Sequence, residues 1–242
     1  MSVFRFKRFE VVNERSAMKV NTDGVLLGAA MTILPSDRAL LDIGTGTGTI
    51  ALMTAQRLSA FYSDNAAVDA IDIDEPSASE AAANFEASPW SRNLKAYHSS
   101  LDEFAASNHT RYDLIFSNPP YFEDSLTAPD VRKSTARHTS AGLSYRDIFE
   151  FARTHLSDKG RISLVLPSDL EKDLTRYARM SGLHLFRILR VRTVPRKAPS
   201  RIITEFSFVR PSHIIEELLT IQDEGKYTQE YLSLTRDFYL FA

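Results

Sequence analysis

The stretch Asp42-Ile43-Gly44-Thr45-Gly46-Thr47-Gly48 constrains this chain more than any other. It follows a short apolar run, ALLDI (39–43), and opens TIALMTAQRL, whose apolar residues have helical spacing. A strand closed by a glycine turn that feeds a helix is the repeating unit of an α/β fold. The turn then lies at the carboxyl end of the strand, where open sheets hold their ligands. The pattern repeats downstream. AVDAIDID (67–74) reads as a second strand, and EPSASEAAANFEAS as the helix after it, with Pro76 tolerated in the first turn. LKAYH and YDLIFSN are further strands, and YRDIFEFARTHL is a helix stopped by Asp158-Lys159-Gly160. RISLVLP is a fifth strand, followed by the helix DLEKDLTRYARMSG, ending at Gly182. LHLFRILRVRTV and IITEFSFV are β-rich with no helix between them and predict an antiparallel edge hairpin. The expected fold is α/β and Rossmann-like: a mostly parallel sheet with helices on both faces. We expect one domain over 1–242, with a lead segment (1–35), a core (36–210) and a C-terminal extension (211–242).

Glycine turns serve several ligands, so spacing has to discriminate. Here it is G-x-G-x-G, not the G-x-G-x-x-G of dinucleotide enzymes, and the absence of a Lys-Ser/Thr pair excludes a P-loop. Gly44, Gly46 and Gly48 admit a ligand close to the backbone, beside free N–H groups at a helix start. Asp42, just ahead of the turn, offers a carboxylate to a ligand ammonium. Asp72, at the end of the second strand, offers one to the two hydroxyls of a ribose, with Asp74 as competitor. Helix capping is the other use of both. An amino acid carrying both charges, joined to a nucleoside and lacking pyrophosphate, meets these conditions: S-adenosylmethionine (SAM), with S-adenosylhomocysteine as product.

Residues 113–122 read DLIFSNPPYF, a buried strand that stops on Asn118 and is then stiffened by Pro119 and Pro120. Asn-Pro is a common turn starter, and two prolines fix φ twice. Beside a SAM turn the same residues acquire a chemical use. An amide or nucleobase amine is a poor nucleophile because its lone pair is delocalised. The Asn118 side-chain oxygen and the Pro119 carbonyl can accept its two hydrogens and aim the lone pair at a methyl group. Tyr121 offers a ring face for a flipped base. The motif serves adenine, an exocyclic guanine amine or a glutamine amide equally well.

Charge separates along the chain although the formal net charge is only −2. Ser63 to Ser91 holds seven acids and no Lys or Arg, whereas Arg176 to Arg210 holds nine Lys or Arg and the single acid Glu205. Arg5, Lys7 and Arg8 add to a basic lead segment. Basic regions at both ends predict a positive face for a polyanion. The chain has no cysteine, its start is not a secretory signal, and its longest nearly apolar stretch, GVLLGAAMTIL, is too short to span a bilayer. A cytoplasmic monomer without metal or membrane attachment is expected.

These residues resemble the bacterial methyltransferases that modify N6 of adenine 37 in valine tRNA 1, and the likeness runs over nearly the whole chain. FRFKRFEVVNERSAMKVNTDGVLLGAA is similar to that family's opening, and the glycine turn and NPPY are shared with many class I methyltransferases. The resemblance implies that Lys19, Thr22 and Asp23 lie against the methionine end of SAM. ARHTSAGLSY (136–145), with Arg132, Lys133 and Arg137, resembles the family's basic loop. RVRTVPRKAPSRIITEFS (190–207) resembles its basic hairpin, with Arg196, Lys197 and Arg201 toward the RNA. Where the family often has an acid near the adenine ring of SAM, this chain reads HSSLDEF, so Ser100 takes the place and Asp102 follows two positions later. The implied activity is SAM-dependent N6-methylation of adenine in tRNA. A protein glutamine N5-methyltransferase, another nucleic-acid amine methyltransferase, a non-catalytic RNA-binding module and an NAD-dependent enzyme are the alternatives.

Overall fold

The computed structural model describes residues 2–61, 65–120 and 142–242. The chain opens with a small antiparallel pair, β1 (Val3–Arg5) and β2 (Glu10–Val12), followed by helix α1 (Thr22–Ala30). Strands and helices then alternate: β3 (Ala39–Ile43), α2 (Thr49–Ser59), β4 (Ala67–Asp72), α3 (Glu75–Glu86), β5 (Leu94–His98), α4 (Leu101–Ser107), β6 (Tyr112–Ser117). After these come α5 (Tyr145–His155), β7 (Leu156–Pro167), α6 (Glu171–Met180), β8 (His184–Arg192) and β9 (Arg201–Ser207). The C-terminal part adds β10 (Ile215–Thr220), the short pair β11 (Gln222–Asp223) and β12 (Lys226–Tyr227), and α7 (Gln229–Thr235).

Eight strands form one sheet in the order β10-β8-β9-β7-β6-β3-β4-β5. β5, β4, β3, β6 and β7 are mutually parallel. β9 runs antiparallel to β7 and to β8, so the expected hairpin forms, and β10 adds a parallel strand outside it. From β3 the chain winds outward through β4 and β5, then returns to place β6 on the other side of β3. The order therefore reverses between β3 and β6, and in open sheets ligands bind at that point, beyond the carboxyl ends of the strands.

Each face of the sheet carries its own apolar core. One joins α1, α2 and α3 with Phe6, Phe9 and Trp90, and with Tyr231, Phe238 and Tyr239 from the C-terminal part. The other packs α4, α5 and α6 through residues such as Phe104, Phe149 and Leu174. The lead and C-terminal segments thus share one core: Phe6 stacks on Phe9 at 4.5 Å and lies 6.1 Å from Tyr239.

Gly160 departs from its expected role. The helix α5 ends at His155, and residues 157–160 already belong to β7, which shifts register against β6 between Tyr112 and Leu114. A Cβ on Gly160 would come within 2.8 Å of the Tyr112 carbonyl and 2.7 Å of the Leu156 side chain. The glycine is required for close strand approach, not for a helix stop. Asp-Lys-Gly fits both settings, and only the neighbouring strand distinguishes them.

Candidate active site

The glycine turn has the backbone its composition demands. Gly44, Gly46 and Gly48 all adopt left-handed φ, at +72°, +57° and +80°. The N–H groups of Gly44 and Thr45 donate to the Ile71 carbonyl at 2.9 and 3.0 Å, which fastens the turn across to β4. Gly48 also packs tightly, since an added Cβ would lie 2.5 Å from the Phe85 ring on α3. Asp42 sits fully buried beneath the turn, and its Oδ2 accepts from Thr45 Oγ1 at 2.7 Å. Among the described residues its buried Oδ1 makes no well-formed hydrogen bond, although the Ala51 N–H lies near the carboxylate. Burial pushes the carboxyl up to about 7, and the neighbouring Asp72 adds to the rise.

Asp72 ends β4 beside the turn. Its Oδ2 accepts from Gly46 N at 2.8 Å and its Oδ1 from Asp74 N at 2.9 Å. Both oxygens keep further lone pairs for a diol. Burial raises this carboxyl as well. The competing candidate, Asp74, caps α3 by accepting from Ser77 N at 3.0 Å and Ser77 Oγ at 2.6 Å. Between them Ile73 is 72% exposed, which leaves an apolar side chain open to solvent next to the candidate ribose carboxylate. Ser100 caps α4 in a capping box. Its hydroxyl donates to Glu103 Oε2 at 2.8 Å and accepts from Glu103 N at 3.2 Å. Asp102 lies exposed in the first turn of that helix. Like Asp42 and Asp72, neither residue borders the depression over the glycine turn.

Asn118 follows β6, and Gly44 follows its neighbour β3, so the two meet at the reversal point of the sheet. They border one depression, together with Thr45, Gly46, Thr47 and residues 18–21. Asn118 is only 6% exposed, and its Nδ2 donates to Met18 Sδ at 3.5 Å. Pro119 is buried and Pro120 half-buried. Tyr121, Arg132, Lys133 and Arg137 lie outside the described residues.

Residues 12–20 cross the turn as a strap, and α3 holds it. Glu80 is buried, and its carboxylate accepts from Glu14 N, Arg15 N and Ser16 N at 2.8, 2.7 and 3.2 Å. Asn84 accepts from Val12 N and donates to the Val12 and Thr47 carbonyls, so it ties strap and turn together. Sequence reasoning missed Met18, Glu80 and Asn84. One signal was available: helical spacing puts the polar Ser77, Glu80 and Asn84 on the buried face of α3 with Ala81. Lys19 borders the depression, yet its ammonium donates to the Asn13 and Glu14 carbonyls at 2.9 and 2.7 Å and closes the strap on itself. Asn21, not Thr22, caps α1; Thr22 is exposed in the first turn. Asp23 pairs with Arg201, Oδ2 to Nε at 2.8 Å.

The basic regions fold differently from their order in the chain. Acids pair with the C-terminal cations, from within the segment, beside it and beyond it: Arg187 meets Glu205 and Glu217, Arg190 meets Glu171 and Glu216, and Arg176 meets Asp173 on the same helix. The field inferred from counting along the sequence is correspondingly smaller. Arg196 and Lys197 remain exposed in the loop between β8 and β9. That loop rises at the site's edge of the sheet, because Arg201 pairs with Pro167 at the carboxyl end of β7. Lys7 and Arg8 instead border a cleft of about 590 Å³ with Arg57 and Arg236. This cleft lies at the far end of α2, whose 11 residues span about 16 Å from the glycine turn. Lys7 Nζ donates there to the Arg236 and Ala242 carbonyls, and Arg5 pairs with Glu10 at 3.0 Å.

The residues present fit SAM. A backbone cradle that a Cβ would crowd, a buried carboxylate oxygen with no well-formed hydrogen bond among the described residues, and a second carboxylate at the next strand end suit its ammonium and ribose. Fold and site together define a class I SAM-dependent methyltransferase. Residues 16–180 match the model of the methyltransferase small domain. A predicted O-methyltransferase from Agrobacterium tumefaciens shares the fold with a TM-score of 0.65 at 15% identity, over 89% of this chain and 96% of that one. A Thermus thermophilus 16S rRNA N2 G1207 methyltransferase, solved with SAM and guanosine, superposes with a TM-score of 0.56 at 22% identity, covering 85% of this chain and 50% of that one. A tRNA1(Val) (adenine(37)-N6)-methyltransferase from Bacteroides fragilis is 42% identical over 98% of this chain and 97% of its own length. Its counterpart from Flavobacterium johnsoniae is 40% identical over 98% and 99%. The chain belongs to the tRNA1(Val) (adenine(37)-N6)-methyltransferase family.

Proposed function

We propose that this protein transfers the methyl group of SAM to N6 of adenine 37 in tRNA1(Val). The observation that carries the reading is the placement of Asn118 directly beside the glycine turn, at the reversal point of the sheet. Relatives about 40% identical along almost the whole chain bear that activity in their names.

SAM supplies an electrophilic methyl on a sulfonium. The chain's own residues do the rest. Asp42 takes the ammonium of the cofactor's amino acid, and Asp72 takes its ribose hydroxyls. Gly46 keeps the turn free of a side chain where the strap passes, since a Cβ there would meet Ser16 Oγ at 3.4 Å. Lys19, which borders the depression, and Thr22 and Asp23, in the first turn of α1, are assigned to the methionine end by the family resemblance. Ile73 gives the adenine of SAM an apolar surface. Asn118 Oδ1 and the Pro119 carbonyl accept the two hydrogens of the target amine and turn its lone pair to the methyl. No general base is required before transfer, because the methylated ammonium is acidic and loses its proton to water. Arg196 and Lys197, at the site's edge, meet the phosphates flanking the flipped base. A loop base is less costly to unstack than one in a duplex, which suits an anticodon loop.

The test is total tRNA from a strain lacking the protein, incubated with labelled SAM and then analysed as nucleosides. N6-methyladenosine is expected with the wild type and absent with Asn118→Ala, which retains SAM binding. Turnover by Asn118→Ala refutes the assigned chemistry.

A further inference from the structure

The Asn118 amide has two ends, and only one of them suits the chemistry. If the NH2 end faced the target amine, donor would meet donor and the nitrogen's lone pair would be misdirected. Something must therefore choose between the two orientations, which differ by a half-turn of the amide.

The structure offers a selector. Asn118 Nδ2 donates to Met18 Sδ at 3.5 Å. A thioether accepts weakly and cannot donate, so a flipped amide would set its oxygen against the sulfur with no hydrogen between them. The Met18 backbone is held in place, and its side chain is 39% exposed. Its carbonyl accepts from Ser16 Oγ at 3.0 Å. Ser16 N also donates to the buried Glu80. Met18 borders the same depression as Asn118, Gly44 and Gly46.

We propose that Met18 is a positioning residue for the methyl transfer: its sulfur takes the NH2 end of the Asn118 amide and so turns Oδ1 toward the target amine. The proposal rests on the reading that Asn118 accepts from that amine. The unbranched, polarizable side chain suits the position, because it accepts a hydrogen bond while keeping an apolar wall beside the cofactor. A serine or glutamate there would also donate or carry charge.

Met18→Leu keeps the volume and removes the acceptor. We expect kcat to fall roughly fivefold, the scale of one weak hydrogen bond, with the KM for SAM unchanged. Unchanged kcat in Met18→Leu overturns the proposal. So does a raised KM for SAM with kcat preserved, since Met18 would then be only a wall of the cofactor site.

A second readout does not depend on tRNA. In ¹⁵N-labelled protein with S-adenosylhomocysteine bound, the Asn118 side-chain amide is identified by its absence in Asn118→Ala. A slowly exchanging Nδ2 proton in the wild type, lost in Met18→Leu, is the expected result. Fast exchange in the liganded wild type overturns the proposal. If the wild type methylates no tRNA, the function proposed above fails, and the amide signal still decides the role of Met18.

Discussion

Arg201 Nε donates to Asp23 Oδ2 at 2.8 Å and joins two residues 178 positions apart. The resemblance assigns one to the cofactor and the other to the RNA, and the fold makes them a pair. Arg201 begins β9 at the carboxyl edge of the sheet, and Asp23 lies in the first turn of α1, so each restrains the other where both ligands are expected. Charge removal at Arg201 should therefore reach the cofactor. We expect Arg201→Gln to weaken SAM binding several-fold as well as tRNA binding, measured separately by titration calorimetry. A tRNA effect with SAM affinity untouched would mean that the pair does not couple the sites.

Among the described residues, Arg196 and Lys197 form no such ion pair. They are exposed in the β8–β9 loop. Replacing both with Ala should leave SAM affinity unchanged, weaken tRNA binding, and lower the slope of log K against log salt by roughly two. An unchanged slope would remove this loop from the RNA surface.

Asp42 predicts a pH dependence with a definite sign. Its carboxyl titrates at about 7 in the folded protein against an ordinary 3.8, because burial disfavours the charge. A folded-state value above the unfolded one means that the native state holds the extra proton. Asp42 therefore erodes stability as pH rises from about 4 to 7, and Asp42→Asn should flatten that part of the thermal-unfolding profile. An ammonium needs the ionised form. SAM affinity should thus rise toward pH 7 and level off above it, with proton release visible by calorimetry in buffers of different ionisation enthalpy. Binding at pH 6 without proton release contradicts the assignment of Asp42 to the ammonium.

Glu80 anchors the strap through three backbone N–H groups. Glu80→Gln keeps one acceptor oxygen and turns N–H against N–H, a change of about 1–3 kcal/mol for a buried site. We expect faster tryptic cleavage at Arg15 and Lys19 and a higher KM for SAM. Wild-type cleavage rates would show the strap to be held elsewhere.

Gly48 combines positive φ with a close approach to Phe85. Gly48→Ala is expected to destabilise the fold by about 2 kcal/mol, several degrees in Tm, through strain and overpacking. A neutral result would require Phe85 to move aside at no cost.

Much of this molecule is local in origin. The sheet and its glycine turn were legible because strand and helix periods, left-handed glycines and chain-reversing prolines act over a few residues. The position of Asn118-Pro119-Pro120 at the end of a buried strand was legible for the same reason, since it is written in adjacent residues. Contacts between distant segments were hidden. The sequence presents Arg187, Arg190 and Arg201 as a run of positive charge, but folding supplies Glu205, Glu217, Glu171, Glu216 and Asp23 as partners. Lys7 and Arg8 look like neighbours of the site in a basic lead segment, yet β1 and β2 carry them to the far end of α2. Ser100 looks uncommitted in the sequence, whereas in the fold its hydroxyl closes a capping box. The sequence by itself determined which elements form and which residues can do amine chemistry, because both follow from local geometry and residue type. Only the tertiary structure decided which charges remain open, which side chains merely hold the frame, and that Met18 meets Asn118, because these depend on chain segments meeting across a long separation.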